Sequence, residues 1–526
     1  MADDRELISG AARALTDRAI EAARRLTNNG ELIDDHQVAV ERVAYAATEA
    51  RVIEDLLHAP AGLSDAARVA AAELAAQIPH RLAPVAGILG LGALTYDAGA
   101  TAAISALLAP AAVEAIGAAV IESEGRLAWP LDEVLTEVRA NVRAFAEREV
   151  MPHAERIHHH DELVPERFIA EMGKLGYFGL AIPEKYGGHE LGNLAMILTT
   201  EELSRASLAA AGSLITRPEI LAKALLAGGT EEQKQTWLPR LAAAEVMAAI
   251  SVTEPNVGSD VASVACRAER ASGGFTITGP KAWCTFAGRA DVIALLARTD
   301  PDLSKGSRGL TLFIVDKPRF PGHEFEVAQP TGGTLSGKAD RTPGYRGMHS
   351  FTLSFDNWFV PDAQVVGGEA GIGRGFALQM AGFAAGRLQT GGRACGLTQA
   401  ALEHTARYVA ERKQFGRPIG DYGLTRYHLG RMASRLVAAR AITYAAAMAM
   451  DGDERKAAPL AAMAKLFSCD VAVEVTQLGQ LLHGGWGYAE EYPISRFVAD
   501  AQVLPIFEGV KPILTLKVVG RSILAR

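Results

Sequence analysis

The sequence predicts a mainly α-helical protein with one β domain set between helical regions. Apolar residues recur at the helical spacing of three to four through most of the first 246 residues. From 247 to 366, β-branched and alternating segments dominate, and long helical segments return after 367. We therefore predict a helical N-terminal extension (1–125), an α-helical domain (126–246), a β domain (247–366) and a C-terminal four-helix bundle (367–526).

Composition and charge narrow the class of protein. The chain has 526 residues, 49% of them hydrophobic and 22% charged, as expected for a globular protein of about three to four domains. A formal charge of −8 argues against nucleic acid as the main partner. The four cysteines are scattered without a CxxC pair, which indicates neither a disulfide framework nor a zinc site. Reduced thiols and a polar, acidic start (MADDRELISG) predict a cytoplasmic protein.

The spacing of apolar residues predicts helices throughout the N-terminal extension. ELISGAARALTDRAIEAARRL, VERVAYAATEARVIEDLL and DAARVAAAELAAQI are amphipathic. Residues 84–121 carry only two charges, Asp97 and Glu114, so a membrane span is the alternative reading there. Pro110 and the many alanines favour buried bundle helices, and we predict no membrane association. We expect the extension to pack on the main body or at a subunit contact.

The α-helical domain begins near Trp129 and contains HHHD at 158–161. Histidine and aspartate are metal ligands, but consecutive residues point in different directions on a regular element, so we predict no metal site. TEEQKQTWLPRLAAAE (230–245) begins a helix with Thr230 as its N-cap. The β segments that follow predict an antiparallel sheet or small barrel. The bundle has four predicted helices, of which the first is one long helix despite its glycines and the last follows Glu508.

Several ordered motifs suggest a function. SVTEPNVGSD (251–260) offers hydroxyl and backbone N–H donors to a polar ligand, and GPKAWCTFAG (279–288) follows it. The order TEP-x-x-GSD and then K-x-W-x-T resembles the acyl-CoA dehydrogenase family of flavoproteins. SFDNWFVP (354–361), ERKQFGRPIGDY (411–422), HGGWGYAEEYP (483–493) and IFEGV (506–510) match further family motifs in the same order. The resemblance covers residues 130–526 and leaves the N-terminal extension outside.

The resemblance implies FAD as the cofactor, an acyl-CoA substrate, electron transfer to an electron-transfer flavoprotein, and a homodimer or homotetramer. Val252, Thr253, Gly258 and Ser259 match the loop that holds the flavin and the CoA pantetheine. Trp283 and Thr285 match the pair beside the flavin ring. Arg412, Gln414 and Phe415 match the segment that binds the FAD of the neighbouring subunit. Gly484 and Gly485 match the glycine turn near the adenosine part of FAD.

The resemblance also implies a catalytic base. Glu508, in VLPIFEGVKPI, matches the residue that removes the α-proton, and desolvation by apolar neighbours would raise its pKa and its basicity. Phe507 and Gly509 flank it in the predicted substrate site, with Arg387 near the CoA end. Gly386 stands where some branches carry the base, so Glu508 is the base that the match supports. The alternative readings are a turn glutamate facing water, a core tryptophan at 283, a surface ion pair at Arg387 and glycines that only cap helices.

The chain departs from the family pattern at two places. Val510, Lys511 and Pro512 replace the usual small and polar residues after Glu-Gly, which puts the FAD hydrogen bonds of that segment in doubt. Leu481 stands where a glutamine is usual, with Gln480 one position away.

The expected substrate is inferred from the arrangement of the domains along the chain. A long helical extension on this core resembles the branch of the family that oxidises (2S)-methylsuccinyl-CoA to mesaconyl-CoA in the ethylmalonyl-CoA pathway. A free carboxylate on the acyl group needs a cation, and Arg217 in SLITRPEI is the candidate, with a surface arginine as the alternative. Short or branched monocarboxylyl-CoA and glutaryl-type dehydrogenases, an acyl-CoA oxidase and a non-enzymatic, DNA-associated flavoprotein remain open.

Overall fold

A computed structural model describes residues 4–525, which form two compact units. One unit combines Met1–Glu137 with Thr390–Arg526, and the other is Val138–Gln389. The N-terminal helices and most of the C-terminal helices therefore share one unit, although about 250 residues separate them in the chain.

The N-terminal extension is helical, as its periodicity predicts. Its helices are α1 (Asp4–Leu26), α2 (Gln37–Leu56), α3 (Ser64–Leu82), α4 (Ala86–Leu89), α5 (Ala98–Leu107) and α6 (Pro110–Glu122). In α1 the buried residues recur every three to four positions, as in Ile8, Ala12, Leu15 and Ala19, which is the pattern of a helix with one buried face.

The second unit begins with helices. They are α7 (Glu133–Phe145, which crosses the boundary between the units), α8 (Met151–His159), α9 (Glu166–Lys174), α10 (Gly192–Ala206), α11 (Thr216–Gly228) and α12 (Glu231–Ala242). The predicted N-cap of α12 is present as a capping box. Thr230 Oγ1 accepts from the Gln233 N–H at 3.2 Å, and Gln233 Oε1 accepts from the Thr230 N–H at 3.0 Å.

An eight-stranded sheet follows in the second unit. Its strands are β1 (Ala248–Ser251), β2 (Arg267–Ala271), β3 (Gly274–Thr285), β4 (Val292–Arg298), β5 (Leu310–Asp316), β6 (Glu324–Ala328), β7 (Thr334–Ala339) and β8 (Ser350–Pro361). The strand order is β1-β4-β2-β3-β8-β7-β6, and β5 pairs with β4.

The sequence predicted an antiparallel sheet or small barrel, and most strand pairings are antiparallel, but two are not. Strand β4 is parallel to β1 over Val292–Leu295 and meets β2 in parallel at Arg298, while the other pairings in this sheet are antiparallel. An alternating pattern reports which side of a strand is buried and carries no information on the direction of its neighbours, so the sequence could not distinguish the two arrangements.

The C-terminal helices complete the first unit, except that the first helix belongs to the second unit as far as Gln389. They are α13 (Gly375–Glu411), α14 (Gly423–Gly452), α15 (Glu454–His483), α16 (Gly485–Tyr488), α17 (Ile494–Ala501), α18 (Lys511–Ile513) and α19 (Arg521–Leu524). A short hairpin, β9 (Lys413–Gln414) with β10 (Arg417–Pro418), joins α13 to α14. The prediction of one long helix over 375–415 is confirmed as far as Glu411, and its last residues instead enter the hairpin. The last predicted helix contains a π-helical segment, Leu514–Gly520, between α18 and α19.

The extension packs on the C-terminal helices within the first unit, and α6 approaches α14 most closely. A Cβ at Gly117 would lie 1.8 Å from the backbone oxygen of Arg426, and one at Gly430 would lie 2.1 Å from that of Val113. Only glycine leaves room for these backbones to come so near. Tyr45 of α2 joins a second contact, in a hydrophobic cluster with Leu466 of α15 and residues of the last helical segment.

No single helix within residues 4–525 is both long and apolar enough to cross a bilayer. The pair α5 and α6, bent by 43°, passes the same test of length and composition when taken together. The four cysteines are free and buried. Burial raises the pKa of Cys266 to about 11 and that of Cys284 and Cys469 to about 12, which keeps these thiols protonated.

Candidate active site

The loop 252–260 is anchored to strand β3 by a buried lysine. Lys281 is fully buried, and its Nζ donates to the Val252 carbonyl at 2.9 Å and to Glu254 Oε1 at 3.0 Å. The Glu254 carboxylate also accepts from the backbone N–H groups of Ala265 and Cys266. These bonds hold the first half of the loop, while Gly258 and Ser259 remain exposed.

Trp283 projects from the end of β3 because the strand is irregular there. The register of β3 against β8 shifts between Lys281 and Cys284, and Trp283 has a left-handed φ of 57°. Its ring is 58% exposed, which rules out the reading of a core aromatic. Two residues on, the buried Thr285 hydroxyl lies 2.9 Å from that of Ser350. An exposed indole beside two hydroxyls can stack on a planar group and hydrogen-bond to it.

The segment around Glu508 lies in the first unit and is held by three cationic side chains. The Arg393 guanidinium lies 4.6 Å from the centre of the Phe507 ring, and Lys465 Nζ donates to the Gly509 carbonyl at 2.8 Å. Lys511 Nζ donates to Asp470 at 2.7 and 2.9 Å. Glu508 itself is half-buried rather than fully exposed. A carboxylate on a segment fixed at three points can be aimed at one atom of a ligand.

The hairpin that joins α13 to α14 is the most exposed part of the predicted site. The Phe415 ring is 94% exposed at a φ of 50°, and Arg412 and Gln414 beside it are exposed. Exposed aromatic and guanidinium groups at the tip of a rigid hairpin are typical of a binding surface.

Gly484 and Gly485 lie at the junction of α15 and α16, and both are exposed. Gly484 is the C-cap of α15 with φ 63° and ψ −139°, a conformation that disfavours other residues. The glycine pair therefore does end a helix, as the alternative reading held, and a ligand role remains a prediction. Leu481, which replaces the expected glutamine, is 76% exposed.

Arg217 is buried, contrary to the reading of a surface arginine. It lies in the first turn of α11, is 5% exposed, and its Nη1 donates to the Tyr345 hydroxyl at 3.2 Å. Glu219 of the same helix is also buried. Arg387, on α13, is half-buried. A buried guanidinium requires an acceptor or an anion near it, because an isolated buried charge is costly.

Left-handed backbone recurs at the predicted site residues. Trp283, Phe415 and Glu508 have φ values of 57°, 50° and 55°, and Tyr345, the partner of Arg217, has 59°. Such conformations are disfavoured for residues with a Cβ and are over-represented at functional sites. No motif in the sequence indicated this backbone strain.

A cluster of possible metal ligands lies elsewhere in the second unit. One ligand atom each of Asp161, His323 and His349 lies within 4.8 Å of the others. His349 Nε2 and Asp161 Oδ1 are 3.0 Å apart, and Arg346 Nε lies 3.7 Å from the same oxygen. The hydrogen bond and the adjacent guanidinium account for this arrangement without an ion. Burial lowers the pKa of His349, which the bond to Asp161 opposes. That no metal binds remains a prediction.

Sequence reasoning missed the residues that hold the Glu508 segment. Lys465 and Asp470 belong to α15, Arg393 to α13, and Lys465 is 1% exposed. One signal was available: Lys465 interrupts an apolar helical run, APLAAMAKLF, and a lysine at a buried position must bond to something. Its partner could not be read from the sequence.

Comparison with known proteins identifies the family. Family models for the N-terminal, middle and C-terminal domains of acyl-CoA dehydrogenases match residues 132–245, 249–358 and 373–524. The chain belongs to the acyl-CoA dehydrogenase family and is an FAD-dependent oxidoreductase acting on acyl-CoA. The predicted family, fold class and cofactor are thus confirmed, and helices α1–α6 lie outside the matched residues.

Individual relatives are more specific. The (2S)-methylsuccinyl-CoA dehydrogenase of Cereibacter sphaeroides is 39% identical over 418 residues, covering 79% of this chain and 74% of the relative. Butyryl-CoA dehydrogenase of Megasphaera elsdenii is 29% identical with a TM-score of 0.69, covering 76% of this chain and 100% of that one. A structure described as the electron transferring flavoprotein of Acidaminococcus fermentans is 30% identical with a TM-score of 0.68, covering 75% and 98%.

Proposed function

We propose that this enzyme dehydrogenates (2S)-methylsuccinyl-CoA to mesaconyl-CoA, with Glu508 as the base. The observation that carries the role of Glu508 is a half-buried carboxylate on a segment fixed by Arg393, Lys465 and Lys511. The substrate is supported by the 39% identity to a methylsuccinyl-CoA dehydrogenase and by the buried Arg217.

The described residues fit FAD. In one unit the exposed Trp283 ring, the Thr285 hydroxyl and the open backbone at Gly258 and Ser259 suit a planar, polar ring, with Val252 and Thr253 fixing the base of that loop. In the other unit, Arg412, Gln414, Phe415, Gly484 and Gly485 offer a guanidinium, an amide and accessible backbone for a dinucleotide. When bound, FAD supplies the two-electron acceptor for the hydride that leaves the β-carbon.

Glu508 removes the α-proton in this proposal. An α-C–H beside a thioester is weakly acidic, so negative charge that develops on the thioester oxygen must be stabilised by donors. The backbone N–H of Glu508 is the proposed donor from this chain. Filling of the pocket by substrate excludes water from the carboxylate, which makes it a stronger base. Phe507 and Gly509 shape the acyl site, and Ser259 and Arg387 bind the CoA portion.

Arg217 is proposed to bind the free carboxylate of the acyl group. Its guanidinium is buried beside the Tyr345 hydroxyl, so an incoming carboxylate would find two donors there. Glu219, an anion of the same helix, is buried as well.

The remaining expectations stay proposals. We infer electron transfer to an electron-transfer flavoprotein, a homodimer or homotetramer, and a cytoplasmic location. The four-part division at 1–125, 126–246, 247–366 and 367–526 is also proposed. The two compact units divide the chain differently, because one of them joins the N-terminal and C-terminal helices, which lie far apart in the sequence.

The test is anaerobic. Purified yellow enzyme is mixed with racemic methylsuccinyl-CoA, and separately with butyryl-, isobutyryl-, isovaleryl- and glutaryl-CoA, while flavin bleaching is followed. Fast bleaching by methylsuccinyl-CoA alone is expected. Preference for a monocarboxylyl thioester would refute the substrate and keep the family chemistry, and rapid peroxide formation in air would indicate an oxidase.

The Glu508→Gln variant tests the base directly. It should retain FAD, because the amide is isosteric with the carboxylate, and lose bleaching by a factor of about 10³ or more, because an amide cannot accept the α-proton. Near-normal bleaching by this variant would remove Glu508 from the mechanism.

A further inference from the structure

A tyrosine of the N-terminal extension is linked to the segment that carries Glu508. The Tyr45 hydroxyl, on α2, donates to Asp470 Oδ2, and the same carboxylate accepts from Lys511 Nζ at 2.7 and 2.9 Å. Lys511 stands three residues after Glu508, in the first turn of α18. All three residues belong to the first unit, and 425 residues separate Tyr45 from Asp470 in the chain.

Two cationic side chains also lie over the Tyr45 ring. The Arg81 guanidinium lies 4.4 Å from the ring centre and Lys511 Nζ lies 4.9 Å from it. Arg81 in turn pairs with the buried Glu49 of α2, at 2.9 Å from its Nε. Burial, together with the charge of Asp470, raises the pKa of Tyr45, so the phenol keeps its proton as a donor. The ring lies in the cluster that α2 shares with α15 and the last helical segment.

The Glu508 segment has a disfavoured backbone conformation, which contacts from other residues must stabilise. Glu508 and Gly509 have φ values of 55° and 105°, a turn that a residue with a Cβ disfavours. Lys465 holds the Gly509 carbonyl from one side, and the Asp470–Lys511 pair holds the chain two residues later. Lys465 and Asp470 both belong to α15. Tyr45 therefore contributes a support that originates outside the residues shared with the family.

We propose that the N-terminal extension positions the catalytic base, with Tyr45 acting through Asp470 and Lys511 on the Glu508 segment. The proposal rests on the role given to Glu508 above. Tyr45 is a positioning residue: it fixes the carboxylate that orders Lys511, and Lys511 fixes the end of the turn. An enzyme without this contact would bind cofactor and substrate and would present its base less often in the reactive geometry.

The test uses full-length holoenzyme with Tyr45→Phe, which keeps the ring and removes the donor, and Lys511→Met, which removes the cation. Both should lower kcat by about tenfold, with KM and FAD content unchanged within about twofold. Amide hydrogen exchange, measured by mass spectrometry on the substrate-free holoenzyme, should accelerate in peptides covering 503–513. Lys511→Arg should restore most of kcat, because a guanidinium can also pair with Asp470.

Two comparisons separate positioning from general stability. Tyr96→Phe is the matched control: it removes a hydroxyl that donates to the Ala75 carbonyl at 2.7 Å, also in the extension, and should leave kcat and exchange at 503–513 unchanged. The double variant Tyr45→Phe/Lys511→Met should be no slower than either single variant, since both act through Asp470.

Unchanged kcat and unchanged exchange in Tyr45→Phe and Lys511→Met would overturn the proposal, and an inactive Glu508→Gln would then leave the proposed function standing. If Tyr45→Phe fails to fold, the kcat values of Lys511→Met and Lys511→Arg test the proposal instead. Lys511 is partly exposed, so its replacement should leave the fold intact. If Glu508→Gln turns over normally, the base assignment fails and the positioning role falls with it.

Discussion

Burial decides the role of single residues in this protein. Arg217 precedes a proline at a helix start, where a surface arginine was the alternative interpretation, yet it is 5% exposed. Trp283, for which a core aromatic was the alternative, is 58% exposed. Both observations oppose the alternative interpretations. A guanidinium can bind a carboxylate through two parallel hydrogen bonds, and an exposed indole on a bulge presents a flat apolar face.

Replacing Arg217 tests the carboxylate site. Arg217→Met should raise KM for methylsuccinyl-CoA by about 10- to 100-fold, the range expected for losing a charge-assisted hydrogen bond, and should leave KM for a monocarboxylyl-CoA within about threefold. Steady-state kinetics with both thioesters gives the ratio. Tyr345→Phe should shift the ratio in the same direction by less.

Arg240→Met, which removes an exposed arginine of α12, is the control and should not alter selectivity. Equal losses on both thioesters in Arg217→Met would mean that Arg217 supports the fold and does not select the substrate.

The helices of the first unit pack with their backbones close together. Helix α6 lies against α14 where Gly117 and Gly430 leave no room for a Cβ. Helices α2 and α3 are rich in buried alanines, whose small side chains also allow close packing between helices. The extension is therefore fitted to the C-terminal helices by small residues. Most residues between 84 and 121 are exposed or half-buried, so the expectation of buried helices there was wrong and burial does not explain the low charge of this stretch.

Gly430→Ala should lower the free energy of unfolding by about 1–3 kcal/mol, because its Cβ would overlap the Val113 carbonyl and force α6 outward. Gly10→Ala is the matched control: Gly10 lies on the exposed side of α1 with nothing within 4 Å, and alanine should stabilise the helix by about 0.5–1 kcal/mol. Thermal unfolding monitored by circular dichroism compares the two. A Gly430→Ala variant as stable as the wild type would show that α6 can move away without loss.

At the scale of the whole molecule, an almost fully exposed Phe415 points to assembly. Its ring is 94% exposed at the tip of a hairpin whose arginine and glutamine are exposed too. Soluble chains seldom leave such a group in water unless a partner or ligand covers it.

Phe415→Ala should weaken both subunit association and FAD retention, if the hairpin reaches the FAD of a neighbouring subunit. Sedimentation velocity should show a shift from dimer or tetramer toward monomer at micromolar concentration, and absorbance should show a lower flavin-to-protein ratio. Leu303→Ala, at an exposed apolar residue of the other unit, should change neither. A wild-type enzyme that is monomeric with full FAD content would contradict the prediction.

The sequence by itself determined the family, the fold class, the cofactor and the order of the helices, because helical period, caps and loop motifs are properties of neighbouring residues. The single helix 375–411 and the capping box at Thr230 were predictable for that reason. The tertiary structure alone decided the parallel pairings of β4, the burial of Arg217, the exposure of Trp283 and the contact of Tyr45 with Asp470. Each of these depends on which distant segments pack together, and neither spacing nor composition encodes that locally.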